Sequence, residues 1–265
     1  MPAMFTTSNG ARIYWEESGT GDPVLLIMGL GYTSEMWHRT RPLLSARFRT
    51  IVFDNRGVGK SDVPPGPYSI SQMAADAAAV LDAAGVERAH VFGISMGGMI
   101  AQELALTHPE RVHSLILGCT ACGGRGGVPA AEEVLKVLMA RATMTPEEGA
   151  LAMAPYIYDS STPRERIEED LAIRRCTYPS AAGYLGQVQA IMAWTSLDRL
   201  RDIQTPTLII HGESDQLVPP ENARILAQHI PGARLVMLPR ASHIFPTDRP
   251  EESHREILAF LVAQP

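Results

Sequence analysis

Cysteine is scarce in this 265-residue chain: Cys119, Cys122 and Cys176 are the only three, too few for the disulfide framework of a small secreted fold. Basic residues are not in excess. Lys and Arg total 23 against 29 Asp and Glu, a formal net charge of -6, and no basic cluster occurs of the kind that tracks phosphates, so no nucleic-acid partner is expected. Long apolar runs are missing too. The longest near-continuous one, Val24 to Leu30, is far shorter than a bilayer span of about 20 residues. Residues 1–19 lack the basic start and apolar stretch of a secretory signal, so the expected location is the cytoplasm, with no membrane partner. Cys119 and Cys122 form a C-x-x-C, but no helix start follows it and no second ligand pair accompanies it. Small apolar packing at a strand end is the better reading than a redox or zinc site.

What is present is ordinary globular composition, 45% hydrophobic and 20% charged, in a length that suits one α/β domain carrying an insertion. Short apolar runs recur at Val24–Met28, Thr50–Phe53, Ala89–Phe92, Ser114–Leu117, Thr207–Ile210 and Arg234–Leu238. They are continuous rather than alternating, which suits strands covered on both faces. Helical patterns lie between them, at Ile70–Ala84, Met96–Thr107, Glu221–Ile230 and Pro250–Val262. Strand and helix in alternation predict a mostly parallel, doubly wound sheet. Residues 1–20 read as one or two antiparallel edge strands. The alternation breaks between about Ala121 and Leu200, where helical patches at 131–142, 145–154, 163–177 and 181–194 follow a Gly-rich entry. The expected division is a core of 1–121 and 201–265 with a helical cap, 122–200, over the strand ends.

Gly93-Ile94-Ser95-Met96-Gly97 matches G-x-S-x-G between a strand and a buried helix. That context lifts the pattern above a Gly-rich turn with an incidental serine: a serine in such a turn has its hydroxyl raised over the sheet. A hydroxyl becomes a competent nucleophile only when a base takes its proton. Of the eight histidines, His243 is best placed, since it follows the last strand at the same sheet edge as Ser95; His211, near a strand end, is the one other to watch. Asp215, in the loop after Thr207–Ile210, is the candidate acid, and Glu213 is its decoy. The chain order Ser, acid, His is the α/β order of this triad. Acyl chemistry also needs two donors on the developing oxyanion. The Met96 N–H is one candidate, and the Leu30 N–H, in Gly29-Leu30-Gly31, is the other.

With these residues in hand, the whole chain resembles the α/β-hydrolase superfamily, in the branch of 3-oxoadipate enol-lactonases and small carboxylesterases. The resemblance is carried by Asp54-Asn55-Arg56-Gly57-Val58-Gly59-Lys60-Ser61, Pro64 to Ile70, Glu87 to Val91, Gly93 to Met99 and His211 to Pro220. It implies a small ester or lactone as substrate and structural roles for Arg56 and Ser61 in buttressing the oxyanion loop; no cofactor or metal is expected, since no cluster of His and carboxylates has ligand spacing and no G-x-G-x-x-G opens the first helix. Met28 departs from the pattern, standing where many relatives carry histidine.

Specificity is expected in the cap, with Trp37, Met139, Tyr156, Met192 and Trp194 as candidate pocket residues for a mainly apolar substrate. Arg141, Arg174 and Arg175 are candidates for a substrate carboxylate, with surface exposure as the default for each. A cofactor-free perhydrolase, a ligand receptor on this fold and a carbon–carbon bond hydrolase are the rival functions. The sequence is silent on oligomeric state.

Overall fold

The computed structural model describes residues 4–264. Eight strands, β1 (Met4–Ser8), β2 (Ala11–Ser18), β3 (Pro23–Ile27), β4 (Arg49–Phe53), β5 (Ala89–Ile94), β6 (Val112–Gly118), β7 (Thr207–Gly212) and β8 (Arg234–Leu238), form one sheet. Their order is β1-β2-β4-β3-β5-β6-β7-β8. β2 runs antiparallel to both β1 and β4, and every other neighbouring pair is parallel. The expected antiparallel edge is therefore present, apart from residues 1–3, which lie outside the described residues.

The continuous apolar runs are explained by cover on both faces. Leu25, Ile27, Val91 and Leu117 face α2 (Ile70–Ala83) and α3 (Met96–Thr107) in one core. Val24, Leu26, Phe92 and Ile116 face a second core with Leu44 of α1 (Thr40–Ser45) and Ile257 and Leu261 of α11 (Pro250–Val262). α2 opens with a capping box in which Ser69 and Gln72 satisfy each other's exposed amides, and Gly85 follows its end.

Between β6 and β7 come α4 (Glu132–Ala140), α5 (Pro146–Ala152), α6 (Ala154–Ile157), α7 (Arg164–Cys176) and α8 (Ala181–Ala193), with no strand among them. Val134, Met153, Ile157 and Tyr158 give this helical segment a small core of its own. After it come α9 (Glu221–His229) and the one-turn α10 (Phe245–Asp248). The short α1 and α10 escape prediction for a physical reason: fewer than two turns leave no periodicity to read.

Candidate active site

The turn after β5 is under strain that its neighbours impose. Ser95 has φ 55° and ψ -123°, outside the regions a non-glycine residue adopts readily. Glycines on either side are obligatory. A Cβ on Gly93 would lie 2.1 Å from the Gly97 carbonyl oxygen, and one on Gly97 would lie 2.1 Å from that of Ile27. The backbone is held from below, since the Ser95 N–H donates to the Gly118 carbonyl at 2.9 Å and the Thr120 hydroxyl donates to the Ser95 carbonyl at 2.7 Å. Ser95 thus reaches a cavity of about 240 Å³ that His243 also lines.

His243 comes from the loop between β8 and α10. Its Nδ1 lies 2.8 Å from Asp215 Oδ2. A carboxylate only accepts, so Nδ1–H is the donor and Nε2 is left for the cavity. His243 Nδ1 is bonded to Asp215, whereas among the described residues no hydrogen bond joins His243 Nε2 to Ser95 Oγ. Hydrogen bonds of this kind are often long without substrate and tighten when it binds.

Asp215 is fully buried and held on both oxygens. Oδ1 accepts the Leu217 and Val218 amides at 2.9 and 2.8 Å. Oδ2 faces His243 and also lies 3.3 Å from His211 Nε2. His211 Nε2 is 2.8 Å from the Val218 carbonyl, which can only accept, so this ring carries its proton on Nε2. Burial alone would raise the Asp215 carboxyl, but the His243 charge and the hydrogen bonds from His211 and His243 bring it down to about 2. In His243, burial pushes the ring toward neutrality, and the Asp215 charge reverses this to hold its pKa well above 6.5. Glu213, the alternative acid, is exposed. The thiol of Cys119, buried at the end of β6 with φ 40°, sits beside His243 and adds to the upward pull. Cys119 and Cys122 are both free and buried.

The loop after β3 passes directly against the serine. A Cβ on Gly29 would lie 3.0 Å from Ser95 Cβ. Among the described residues neither the Leu30 nor the Met96 amide donates to another backbone carbonyl outside its own element, which leaves two N–H donors beside Ser95, one of them at the N-terminus of α3. Two side chains tether the loop. Asn55 Nδ2 donates to the Met28 carbonyl at 2.9 Å. Gln187, fully buried in α8, accepts the Gly31 N–H at 2.8 Å and donates to the Arg56 carbonyl at 2.8 Å.

The buttressing expected of the Arg56 side chain is therefore redirected. Its guanidinium makes a buried bidentate pair with Asp76, at 2.7 Å through each nitrogen, and only its carbonyl reaches the loop through Gln187. Ser61 ties Asp54 to β2 through the Asp54 carbonyl and the Tyr14 N–H. Met28, in the histidine's place, is buried and lines the cavity.

Of the five expected pocket residues, Trp37 lines the cavity; Met139, Tyr156, Met192 and Trp194 do not. Met139 is 46% and Met192 74% exposed, and the Trp194 indole is turned inward to donate to Glu103 at 2.9 Å. The apolar lining comes instead from Met36, Met99, Leu135, Leu138, Ile157 and Leu217. Sequence reasoning missed Tyr32 as a lining residue and Gln187 as a tether. For Arg141 and Arg174, candidates for a substrate carboxylate, surface exposure is the default, whereas both are buried and line the cavity. Arg175 is half-buried, lies outside the cavity lining, and pairs with Glu147 at 2.6 Å.

Residues 22–250 match the family model described as alpha/beta hydrolase fold. The chain belongs to that family. The "Putative carbamate hydrolase RutD" of Azorhizobium caulinodans is 36% identical over 254 residues, covering 94% of this chain and 95% of the relative. The enol-lactonase from Burkholderia xenovorans LB400 superposes with a TM-score of 0.87 at 29% identity, covering 98% of this chain and 100% of the other. A thermophilic esterase from Thermogutta terrifontis gives 0.84 at 30% identity, covering 99% and 98%. Among the described residues of this alpha/beta hydrolase, no helix is long and apolar enough to cross a membrane.

Proposed function

We propose that this alpha/beta hydrolase cleaves small carboxylic esters or lactones through an acyl-enzyme on Ser95. The observation that carries the reading is the 2.8 Å bond from His243 Nδ1 to buried Asp215, which leaves Nε2 as the ring's base in the cavity that His243 and the strained serine both line. As Oγ bonds to the substrate carbonyl carbon, its proton passes to His243 Nε2. The Leu30 and Met96 amides receive the developing oxyanion. Collapse breaks the bond to the leaving alkoxide, which takes the proton from His243. Water then gives a proton to the same nitrogen and attacks the acyl carbon, and the departing Ser95 oxygen recovers it.

The esterase and enol-lactonase among the structural neighbours support this choice of bond. We read the helical segment 122–200 as the cap that selects substrates, since Leu138, Ile157 and Ile191 from it share the cavity with Ser95. The likeness to the RutD protein favours one second reading, in which the scissile carbonyl is a carbamate. Hydrolysis of p-nitrophenyl butyrate by wild type and Ser95→Ala tests the main reading. A loss of kcat on the order of 10⁴-fold or more is expected from removing the nucleophile, with an unchanged circular dichroism spectrum. Retained turnover in the variant overturns it, and faster turnover of a matched carbamate than of the ester decides for the second reading.

A further inference from the structure

One wall of the cavity carries charge that ester cleavage leaves unused. Arg141, in the turn after α4, and Arg174, in α7, are 3% and 1% exposed and line the same cavity as Ser95 and His243. The Arg174 guanidinium carbon lies 4.6 Å from the centre of the Tyr32 ring and 5.3 Å from that of Tyr158. That of Arg141 lies 5.1 Å from Tyr32 and 5.0 Å from Tyr184. None of the three guanidinium nitrogens of Arg174, and neither Nε nor Nη2 of Arg141, has a hydrogen-bond partner. Asp170 is the carboxylate whose charge reaches Arg174, but no hydrogen bond joins the two, and its Oδ1 accepts none from any neighbour. His38 and Arg39 lie 3.3 and 3.5 Å from its Oδ1, and the hydroxyls of Tyr158 and Thr247 donate to its Oδ2 at 2.9 and 2.7 Å.

Aromatic faces offset only part of the cost of stripping water from a guanidinium. Two such cations side by side, with nitrogens left open, are complete only with an anion. The field they set up is felt by Tyr32: burial would raise its phenol, yet the Arg141 and Arg174 charges bring it below its ordinary value. A planar, two-oxygen anion matches the guanidinium fork. The remaining lining, including Met28, Met99 and Leu138, is apolar.

Building on the hydrolase reading above, we propose that Arg141 and Arg174 form a carboxylate-binding subsite. The substrate is then an ester or lactone that carries a free carboxylate, joined by a short apolar chain to the carbonyl that meets Ser95.

The first test compares mono-p-nitrophenyl glutarate with its methyl ester, a neutral molecule of nearly the same shape. Wild-type kcat/KM is expected to be at least about tenfold higher for the acid, the scale of one charge-assisted contact. The ratio should fall close to one in Arg141→Met and Arg174→Met, and stay between in the lysine variants. Truncating a buried arginine can unfold the chain, so a second measurement leaves both in place. Glutarate should raise the Tm of Ser95→Ala, while dimethyl glutarate at the same concentration should not.

A wild-type ratio near or below one overturns the subsite and leaves the esterase reading standing. A preference that survives in folded methionine variants overturns its assignment to these arginines. Turnover of neither ester overturns the hydrolase reading, and the glutarate Tm then decides the subsite alone. Inorganic phosphate raising the Tm as much as glutarate overturns the choice of carboxylate. Tyrosinate absorbance near neutral pH, with no glutarate effect, identifies Tyr32 as an internal counter-ion and overturns the proposal.

Discussion

Gln187→Leu separates the positioning of the oxyanion loop from the chemistry of Ser95. Gln187 is fully buried and holds two backbone groups at once, the Gly31 N–H and the Arg56 carbonyl, each at 2.8 Å. Leucine keeps much of the volume and removes both bonds. Each buried group left without a partner costs about 1–3 kcal/mol, so a loss of roughly 2–4 kcal/mol in unfolding free energy is expected once the better apolar burial of leucine is counted. The catalytic effect is separate. The Leu30 amide is the neighbour of Gly31, and deleting an oxyanion donor outright costs about 10²–10³ in kcat. A donor that is loosened rather than deleted should cost about 10- to 100-fold in kcat, with KM changing little, because the contact strengthens only in the transition state. Urea unfolding and p-nitrophenyl butyrate kinetics on the same preparation read the two effects independently. A variant destabilised as expected but with kcat within twofold of wild type would refute the tether's role in catalysis.

In Asp215→Asn, kcat should fall by roughly 10³–10⁴. Its acid limb should also move to lower pH, because the Asp215 charge is what holds the His243 pKa above 6.5 against burial. In wild type the limb should have its midpoint above 6.5, since activity needs neutral His243 and rises as pH passes the raised value; pH profiles of kcat/KM on both proteins check this. The Asp215 carboxyl, lowered to about 2, contributes stability above its unfolded pKa that is lost as pH falls through the folded one, so acid unfolding should be shallower in the variant. Asp76→Asn leaves Arg56 charged, buried and without its carboxylate. About 3–5 kcal/mol of stability should be lost, measured as a lower urea midpoint at unchanged slope.

How far the residues alone carry depends on what each feature needs. Strands such as Thr207–Gly212 and helices such as Met96–Thr107 appear in the chain as apolar runs and stripes because burial on two faces, or on one, dictates them. The strained turn at Ser95 and the chain order of Ser95, Asp215 and His243 are also written locally, in glycine spacing and strand ends. The cavity wall is not. Met139 and Met192 are apolar and lie in the right segment, yet both face solvent. Which side of a short helix packs inward is set by partners distant in sequence. For the same reason Gln187, in a helix that is apolar almost all round, gives no sign that it reaches back 131 residues to Arg56. Arg141 and Arg174 look like surface residues because arginine usually is one; the Tyr32 and Tyr184 rings that offset part of the cost of burying them come from other parts of the chain.

The identity of the nucleophile bears most of the weight, and a fluorophosphonate ester reads it directly. Such a reagent forms a stable bond only to an activated hydroxyl. Intact-mass and peptide mass spectrometry should find one adduct per chain, on Ser95, with none in Ser95→Ala and a much slower one in His243→Ala. An adduct on any other residue, or equal labelling in the alanine variant, would contradict the account.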